Sequence, residues 1–370
     1  MDIISRLQAA MPGEGVAATV ITPGADLRYV AGYDAKPLER LTALVVPVTG
    51  PAFMVAPELE GHEARSSAFG AAGGEVITWG ETEDPFAIIA TRISGLPAGS
   101  VAVDDHMWAE RVLRLRSVLP ERGQVVAGGL LRSMRLVKTA AEIEYLQEAA
   151  SAIDAVHAQV PSIMRAGMTE AQAGALIADA ILKAGHVQVD FVIVGSGPNG
   201  ASPHHSVSDR VMQVGDPVVV DIGGTMPSGY CSDCTRTYVL GEPSADYQAA
   251  YDILLDAQQQ ASAFVAPGRT CEAIDSKARE VMATSSFDGA PLSDYFIHRI
   301  GHGIGLESHE EPYLVQGNDL ALSPGMTFSV EPGFYISGKF GARIEDIVVC
   351  TADGVHSLNK QPRELIRIPA

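Results

Sequence analysis

The spacing of apolar and polar positions along the chain predicts two domains of different construction. In residues 1–130, short apolar runs such as "AATVITP", "LTALVVPV" and "AFMVAP" alternate with segments of helical periodicity, a pattern typical of an α/β domain. In residues 137–370, amphipathic helices are followed by apolar runs typical of strands, such as "VQVDFVIVG" and "PVVVDIG". We therefore predict an α/β N-terminal domain and an α+β C-terminal domain whose strands are mostly antiparallel.

Two helices of the second domain have clear start signals. Thr139 is followed three residues later by Glu142, and Thr169 is followed in the same way by Gln172, which is the spacing of a capping box. The apolar periodicity after Thr139 predicts one long amphipathic helix that ends at Gly167.

The charge balance limits the partners that the protein can have. The 370 residues include 26 Lys and Arg against 45 Asp and Glu, and the net charge of −19 repels nucleic acid and anionic lipid. The first residues lack the pattern of a signal peptide, and prolines interrupt the most apolar stretch, so no membrane-spanning helix is predicted. We expect a cytoplasmic protein with no nucleic-acid partner and no membrane partner.

Two aspartates occupy positions where a sheet would normally bury apolar residues. The segment "VVVDIGGTMPSGYCSDCTRT" predicts a strand, a turn and a second strand, and Asp221 and Asp233 lie symmetrically about Pro227. A turn centred on Pro227 would place the two carboxylates opposite one another on one face, where they repel and where burial penalises their charge. The compensating group could be a basic side chain such as Arg236, a shared proton, or a metal ion.

Other acids and histidines in the second domain favour the metal. "GHGIGLESHE" contains His302 and His309, "SVEPG" contains Glu331, and "RIED" contains Glu345. Asp, Glu and a single His form an oxygen-rich ligand set that suits hard or borderline divalent ions. Four carboxylates carry a charge that two divalent cations would balance, so the sequence favours a dinuclear centre.

These motifs, taken together in order and spacing, resemble a known family. "DIGG…GYCSDCTRT", "HRIGHGIGLESHE", "FSVEPGFYI" and "GARIEDIVVC" are similar to the metallopeptidases of the pita-bread fold, in the prolidase and aminopeptidase P branch. The N-terminal domain resembles the creatinase-type domain that precedes it in that family. The family commonly spaces its two aspartates one residue closer, and we attribute the difference to an extra residue in the Pro227 turn. A shift of register would instead turn one aspartate out of the site.

The resemblance implies a role for each metal-ligating candidate. Asp221 would bind one ion, and His302 and Glu331 would bind the other. Asp233 and Glu345 would bridge the two ions. Glu331 would also act as the general base. We expect two divalent metal ions, Mn²⁺ in the first place, with Co²⁺ or Zn²⁺ as alternatives.

Two histidines match family positions close to the scissile bond. His204, in "GASPHHSVSD", matches a histidine that stabilises this region, and we expect His205 to be its exposed neighbour. His309 matches the second active-site histidine, which holds the tetrahedral intermediate or carries a proton.

Two further residues are expected to contact or orient the substrate side of the site. His298 matches a histidine that lines the proline side of the pocket, and on a strand it would share a face with His302, four residues later. Arg343 precedes Glu345 by two residues and is expected to face inward and orient that carboxylate.

The resemblance implies substrates with proline in the second position, but it leaves the peptide length open. Many prolidases carry an arginine in a pattern like HEWPR, whereas this chain has "HEEPY". Tyr313 therefore stands at the arginine position, where we expect it to contact the substrate through a hydrogen bond without supplying a charge. Either another residue binds the dipeptide carboxylate, or longer peptides are accepted as in aminopeptidase P. We favour an Xaa-Pro dipeptidase and retain aminopeptidase P as the alternative.

Other functions of the same fold fit the sequence less well. Methionine aminopeptidases usually lack so large an N-terminal domain, and creatinase lacks this ligand set. A metal-free pita-bread binding module is the alternative that is not an enzyme, but such proteins lose the metal ligands and all five are present here. Family resemblance also implies a homodimer.

Overall fold

The computed structural model describes residues 2–369 and separates the chain into two compact units, Met1–Arg135 and Leu136–Ala370. Among the described residues, we find no helix with the length and apolar character needed to cross a membrane.

The first unit is built around one mixed six-stranded sheet with the order β4-β3-β2-β1-β5-β6. Its strands are β1 (Val16–Ile21), β2 (Ala43–Pro47), β3 (Phe53–Pro57), β4 (Glu75–Trp79), β5 (Ser100–Val103) and β6 (Gln124–Val126). Its helices are α1 (Ile3–Ala10), α2 (Ala25–Ala31), α3 (Gly61–Ser66), α4 (Ala68–Ala71), α5 (Pro85–Ile93), α6 (Ala109–Val118) and α7 (Gly128–Leu136).

Both faces of this sheet are buried, which explains why its central strands are continuously apolar. Along β2, Leu44 and Val46 belong to one hydrophobic cluster, while Ala43 and Val45 belong to another. Successive side chains of a strand point to opposite faces, so the two clusters lie on the two sides of the sheet. The predicted α/β architecture is confirmed.

The second unit contains a four-stranded sheet of order β19-β9-β8-β7 and a five-stranded sheet of order β13-β12-β14-β17-β18, with two smaller ribbons. Its strands are β7 (Gln188–Ser196), β8 (Pro217–Thr225), β9 (Cys231–Leu240), β10 (Ser286–Phe287), β11 (Ala290–Pro291), β12 (Gly301–Gly303), β13 (Glu310–Leu314), β14 (Thr327–Val330), β15 (Gly333–Ile336), β16 (Phe340–Arg343), β17 (Asp346–Thr351), β18 (Gly354–Ser357) and β19 (Ile366–Ile368). Its helices are α8 (Ala140–His157), α9 (Val160–Ile163), α10 (Glu170–Lys183), α11 (Ala245–Phe264) and α12 (Cys271–Met282).

The two predicted capping boxes are confirmed, at Thr139 for α8 and at Thr169 for α10. The predicted length of the first helix is wrong, because α8 ends at His157 and a separate short helix, α9, follows. Pro161 lies in the first turn of α9, where a missing backbone N–H is tolerated, whereas inside a continuous helix it would break the hydrogen-bond ladder.

The hairpin of β8 and β9 carries the two aspartates, and its register differs from the prediction. Asp221 pairs with Thr235, and Gly223 pairs with Asp233, which centres the hairpin on Ser228 instead of Pro227. The aspartates are therefore diagonal neighbours and do not lie directly opposite one another. They still share a face, because directly paired residues and residues two apart on a strand point to the same side of a sheet.

A buried histidine at the end of α8 ties this helix to β9. His157 Nε2 lies 2.9 Å from the carbonyl oxygen of Cys234, and its Nδ1 lies 3.0 Å from the Tyr238 hydroxyl oxygen. A carbonyl can only accept, so Nε2 carries the proton and Nδ1 accepts from the hydroxyl. Burial, and next the charge of Arg236, lower the pKa of His157 to about 3.

This histidine makes stability depend on pH in a defined direction. An unfolded chain protonates His157 below about pH 6.5, whereas the folded chain resists protonation until about pH 3, so acid favours the unfolded state. We expect the free energy of unfolding to fall by roughly 2 kcal/mol between pH 7 and pH 5 from this residue alone. Urea denaturation at both pH values should show that the free energy of unfolding depends less on pH in His157→Gln than in the wild type. The exposed control His356→Gln should behave as the wild type, and an unchanged slope in His157→Gln would contradict the assignment.

Candidate metal centre

Five side chains from separate segments of the second unit converge on one point. Asp221 lies on β8, Asp233 on β9, His302 on β12, Glu331 directly after β14, and Glu345 between β16 and β17. Ligand atoms lie within 4.8 Å of one another in three overlapping groups: Asp221 with Asp233 and Glu345, His302 with Glu331 and Glu345, and Asp233 with His302 and His309. Asp233, His302 and Glu345 each belong to two of these groups. Asp233 and Glu345 are the carboxylates that the groups share, and each carboxylate has two oxygens to offer to the cluster.

The cluster has the unsatisfied acceptors that a cation site requires. Asp221 Oδ1 and Glu345 Oε1 are buried and have no hydrogen-bond partner among the described residues. Unpaired carboxylate oxygens in the interior are costly, because desolvation disfavours their charge. Burial, and then repulsion between the carboxylates, raise the pKa values of Asp233 and Glu345 well above the ordinary range. Burial also raises the pKa of Glu331 to about 8. The donor set therefore fits divalent cations, which would bind the free oxygens and balance the charge.

The histidine of the cluster is held in the form that binds metals. His302 Nδ1 lies 3.2 Å from the carbonyl oxygen of Gly303, so Nδ1 carries the proton and donates it. Its Nε2 faces the carboxylates, at 3.3 Å from Glu331 Oε1 and 3.7 Å from Asp233 Oδ2. Burial lowers the pKa of His302 to about 3, so the ring is neutral and presents a lone pair to the cluster.

An arginine inside the site orients one aspartate directly and one glutamate through a threonine. The Arg343 guanidinium donates to Asp221 Oδ2 at 2.5 Å and to Thr235 Oγ1 at 3.0 Å. Thr235 Oγ1 in turn donates to Glu345 Oε2 at 2.8 Å. Arg343 therefore forms an ion pair with Asp221 and is linked to Glu345, the carboxylate that we expected it to orient, through Thr235.

The other arginine considered from the sequence serves a different face of the sheet. Arg236 lies beside Thr235 on β9, so its side chain points away from the aspartates. It pairs with Asp346 at 2.7 Å and donates to the carbonyl oxygen of Glu345 at 2.6 Å. Arg236 therefore stabilises the backbone behind the cluster and does not compensate the charges of the carboxylates.

A pocket of about 690 Å³ opens over the cluster, a size typical of small-ligand sites. Besides the five clustered residues and Arg343, its wall includes apolar side chains and three histidines, namely Phe191, Ile193, Ile297, His204, His298 and His309.

Two of these histidines flank the cluster. The ring of His309 packs on that of His302 with 3.8 Å between the centroids, and burial lowers its pKa. His204 is exposed to the pocket, whereas His205 is partly buried and bonds the Glu170 carboxylate at 2.7 Å. The expectation that His205 is the exposed neighbour is therefore wrong, because the buried Glu170 draws it inward and leaves His204 facing the pocket.

His298 lines the pocket, but it is not on a strand as the sequence predicted. The strand β12 begins only at Gly301, and Arg279 donates to the carbonyl oxygens of Phe296 and His298, which holds this segment away from the sheet. His298 and His302 therefore line the same pocket, although only His302 lies on a strand.

Both ring nitrogens of His298 are already bonded. Its Nδ1 donates to the carbonyl oxygen of Arg299 at 2.7 Å, and its Nε2 accepts from the Tyr335 hydroxyl at 2.8 Å. The same hydroxyl accepts from Arg343 at 2.7 Å. This chain of hydrogen bonds fixes the ring, so His298 can offer only the face and the carbon edge of its ring to a ligand.

The structure places Tyr313, the residue at the arginine position, against Arg299. Tyr313 does not line the pocket, and its ring lies behind Arg299, whose guanidinium carbon is 4.2 Å from the ring centroid. Arg299 and Tyr335 were missed from the sequence, since neither stands in a pattern that predicts a contact with the site. Thr235 was also missed, although its spacing of two residues from Asp233 on a strand was a signal that it faces the cluster.

Comparison with known proteins identifies the family. The model described as Metallopeptidase family M24 matches residues 144–352, and that of the Creatinase/Prolidase N-terminal domain matches residues 3–137. The chain is 50% identical over 364 residues to the "Probable dipeptidase PepE" of Mycobacterium tuberculosis, covering 98% of this chain and 94% of that protein. It is 35% identical over 354 residues to an Xaa-Pro dipeptidase of Lactobacillus helveticus, covering 93% and 92%.

A solved structure agrees with this result. The crystal structure of dipeptidase PepE from Mycobacterium ulcerans superposes with a TM-score of 0.92 at 49% identity, covering 99% of this chain and 97% of that chain. The predicted creatinase-type N-terminal domain and pita-bread catalytic domain are thereby confirmed. The match of the family model to more than half of the sequence shows that this chain belongs to metallopeptidase family M24.

Proposed function

We propose that this protein is an Xaa-Pro dipeptidase that uses two divalent metal ions to hydrolyse the peptide bond before proline. The observation that carries the proposal is the buried cluster of four carboxylates and a neutral histidine, with two unpartnered oxygens, beside a pocket of dipeptide size. Relatives named Xaa-Pro dipeptidase and prolidase, each 35% identical to this chain, support the substrate class.

We assign the ligands from the overlap of the three groups and from the number of ligand atoms that each shared residue offers, since a carboxylate has two oxygens and His302 presents one nitrogen. Asp221 would hold one ion, His302 and Glu331 the other, and the shared carboxylates of Asp233 and Glu345 would bridge them. Two divalent ions held by these residues would lower the pKa of a bound water molecule and polarise the carbonyl of the scissile bond.

The remaining chemistry is assigned to side chains of the pocket. Glu331 would accept the proton of the attacking water and deliver it to the leaving nitrogen of proline, as a general base and then a general acid. His204 and His309 would donate hydrogen bonds to the carbonyl oxygen as it gains negative charge. The water attacks directly, so no covalent enzyme intermediate forms.

The apolar part of the pocket wall suits the prolyl side chain. Ile297 lines the pocket and is 66% exposed, and the ring of the adjacent His298 is fixed by its hydrogen bonds. An apolar wall of this kind can pack against the pyrrolidine ring, while the tertiary amide of proline requires no hydrogen-bond acceptor for an N–H.

The substrate class is tested with the purified, metal-loaded protein. We expect Mn²⁺, Co²⁺ or Zn²⁺ to support release of proline from an Xaa-Pro dipeptide, with little cleavage of an Xaa-Pro-Yaa tripeptide. Preferential cleavage of the tripeptide would favour aminopeptidase P. This activity is the second candidate because Tyr313 stands where many prolidases carry an arginine. Inactivity toward both peptides at full metal loading would favour a binding module.

Removal of the metal ions should affect stability as well as activity. Without ions, the four carboxylates repel one another in a buried site, so ion binding must stabilise the folded state. We expect chelation to abolish activity, and we expect ions at a hundredfold excess over Kd to stabilise the protein by about 3 kcal/mol. Differential scanning calorimetry and metal analysis provide the measurements. The absence of both ion uptake and thermal stabilisation would contradict the proposed centre.

His309→Ala separates a role in catalysis from a role in metal binding. We expect kcat to fall by roughly a hundredfold, because one donor to the developing oxyanion is lost, while the bound metal stays unchanged. Metal analysis alongside the kinetics is the control. Loss of metal with loss of activity would instead place His309 among the ligands.

The domain roles, the localisation, the oligomeric state and the metal were predicted from the sequence and remain proposals. We propose that residues 137–370 carry the catalytic chemistry and that residues 1–130 form the accessory domain. We also propose a cytoplasmic homodimer that uses Mn²⁺, to be checked by cell fractionation, light scattering and metal analysis of protein purified without added metal.

A further inference from the structure

Arg299 is a cation in the pocket wall whose charge acts on the Glu331 carboxylate only at longer range, without a hydrogen bond or an ion pair. Its side chain is half-buried, yet no described residue accepts a hydrogen bond from its guanidinium or forms an ion pair with it. The neighbouring Arg343, by contrast, is bonded to Asp221, Thr235 and Tyr335. Arginines held inside a pocket are normally paired, so an unpaired one is available to a ligand with negative charge.

The aromatic ring behind Arg299 fixes where its charge lies. The guanidinium packs over Tyr313 with 4.2 Å to the ring centroid, a cation–π contact that leaves the N–H groups at the edge of the plane free to donate. Tyr313 stands at the position where the resembling prolidases carry an arginine. Arg299 therefore supplies a positive charge next to Tyr313, the position at which those prolidases have the charge of an arginine and this chain has none.

The location of Arg299 also matches the chemistry of a dipeptide. In an Xaa-Pro dipeptide the free carboxylate belongs to the prolyl residue itself, so its binding group must lie beside the wall that holds the proline ring. Arg299 directly follows His298 and Ile297, which line that part of the pocket. A guanidinium at this place can bind a carboxylate through two parallel hydrogen bonds.

We infer that Arg299 binds the C-terminal carboxylate of the dipeptide and that Tyr313 acts as a positioning residue for its guanidinium. This inference rests on the proposed Xaa-Pro dipeptidase function. It explains how a chain with tyrosine at the usual arginine position can select dipeptides over longer peptides, since a third residue would convert the carboxylate into a neutral amide.

The test compares Ala-Pro with Ala-prolinamide, which differ only in the carboxylate, on the Mn²⁺-loaded protein. In Arg299→Gln, we expect kcat/KM for Ala-Pro to fall by about tenfold to a hundredfold, mainly through KM, because a charge-assisted hydrogen bond is lost. The value for Ala-prolinamide should change by less than about threefold, on the scale of an uncharged contact. Retained cleavage of the amide also shows that the variant is folded.

A binding measurement makes the result independent of turnover. L-Proline, which carries the same carboxylate, should bind the wild type more tightly than prolinamide in isothermal titration, and Arg299→Gln should remove that preference. Arg269→Gln is the matched control, since Arg269 also stacks on an aromatic ring, that of Phe264 at 4.2 Å, but does not line the pocket. Tyr313→Phe keeps a ring behind the guanidinium and should retain the preference for Ala-Pro.

The outcomes separate this inference from the function on which it rests. If the wild type cleaves Ala-Pro and Arg299→Gln keeps the same preference for Ala-Pro over the amide, Arg299 is not the carboxylate-binding group and the dipeptidase proposal stands. If the metal-loaded wild type cleaves neither compound, the proposed function fails and the inference fails with it.

Discussion

Replacing Asp233 by asparagine is expected to reduce hydrolysis of an Xaa-Pro dipeptide by about a thousandfold or more. Asp233 is 3% exposed, and its carboxylate belongs to two of the three groups of ligand atoms, so one substitution disturbs both proposed ion positions. Asparagine keeps the shape but removes one charge and one anionic oxygen. Glu345→Gln should act in the same way, because Glu345 is the other carboxylate that belongs to two groups.

The measurement combines steady-state kinetics with metal content for each variant. Asp190→Asn is a matched control, since Asp190 lies on β7 of the same sheet and bonds Thr225 outside the cluster. It should retain both ions and near-normal activity. Two bound ions together with normal turnover in Asp233→Asn would exclude a bridging role for this carboxylate.

Replacing Arg236 by methionine is expected to destabilise the second unit by about 3–5 kcal/mol. Arg236 and Asp346 are 1% and 0% exposed, and they form a buried ion pair at 2.7 Å. The guanidinium also donates to the carbonyl oxygens of Glu345 at 2.6 Å and Pro362 at 2.8 Å. Methionine fills a similar volume but removes the guanidinium donor from these acceptors and one cation from a buried carboxylate.

Arg363→Met is the matched control for this prediction. Arg363 also pairs with Asp346, but its side chain is 28% exposed, so water can replace part of the interaction. We expect a loss of about 1 kcal/mol for this variant. Urea denaturation of the metal-free proteins, followed by tyrosine fluorescence and circular dichroism, gives both values. Equal losses in the two variants would show that the buried arginine has no special role in stability.

The ligand cluster could be predicted from the sequence because period-two alternation fixes which side of a strand each residue faces. That rule placed Asp221 and Asp233 on one face even though the predicted turn centre was wrong by one residue. The centre depends on where the backbone can reverse. Gly229 adopts a φ of 88°, a region open to glycine, so the turn lies one residue further along the chain than a reading centred on Pro227 suggests.

Features that depend on tertiary contacts could not be predicted. The segment around His298 has an apolar pattern compatible with a strand, but the side chain of Arg279, from α12, binds its carbonyl oxygens and keeps it out of the sheet. The contact of Arg299 with Tyr313 likewise joins residues from two segments whose register only the fold determines. The local sequence pattern was enough to predict the acidic residues of the cluster. The arrangement of the residues on the substrate side of the pocket could be seen only in the structure.

The register of the β8–β9 hairpin has a consequence for recognising such centres in other sequences. The last paired residues are Thr225 and Cys231, so residues 226–230 form a loop beyond the ladder. Insertions or deletions there leave the pleat, and with it both aspartates, in place. A single deletion between Asp221 and Thr225 would instead rotate one carboxylate to the far side of the sheet. The length of the loop can therefore change without moving the aspartates. The number of residues between each aspartate and the end of the ladder decides which face its carboxylate occupies, and a sequence search should score that number.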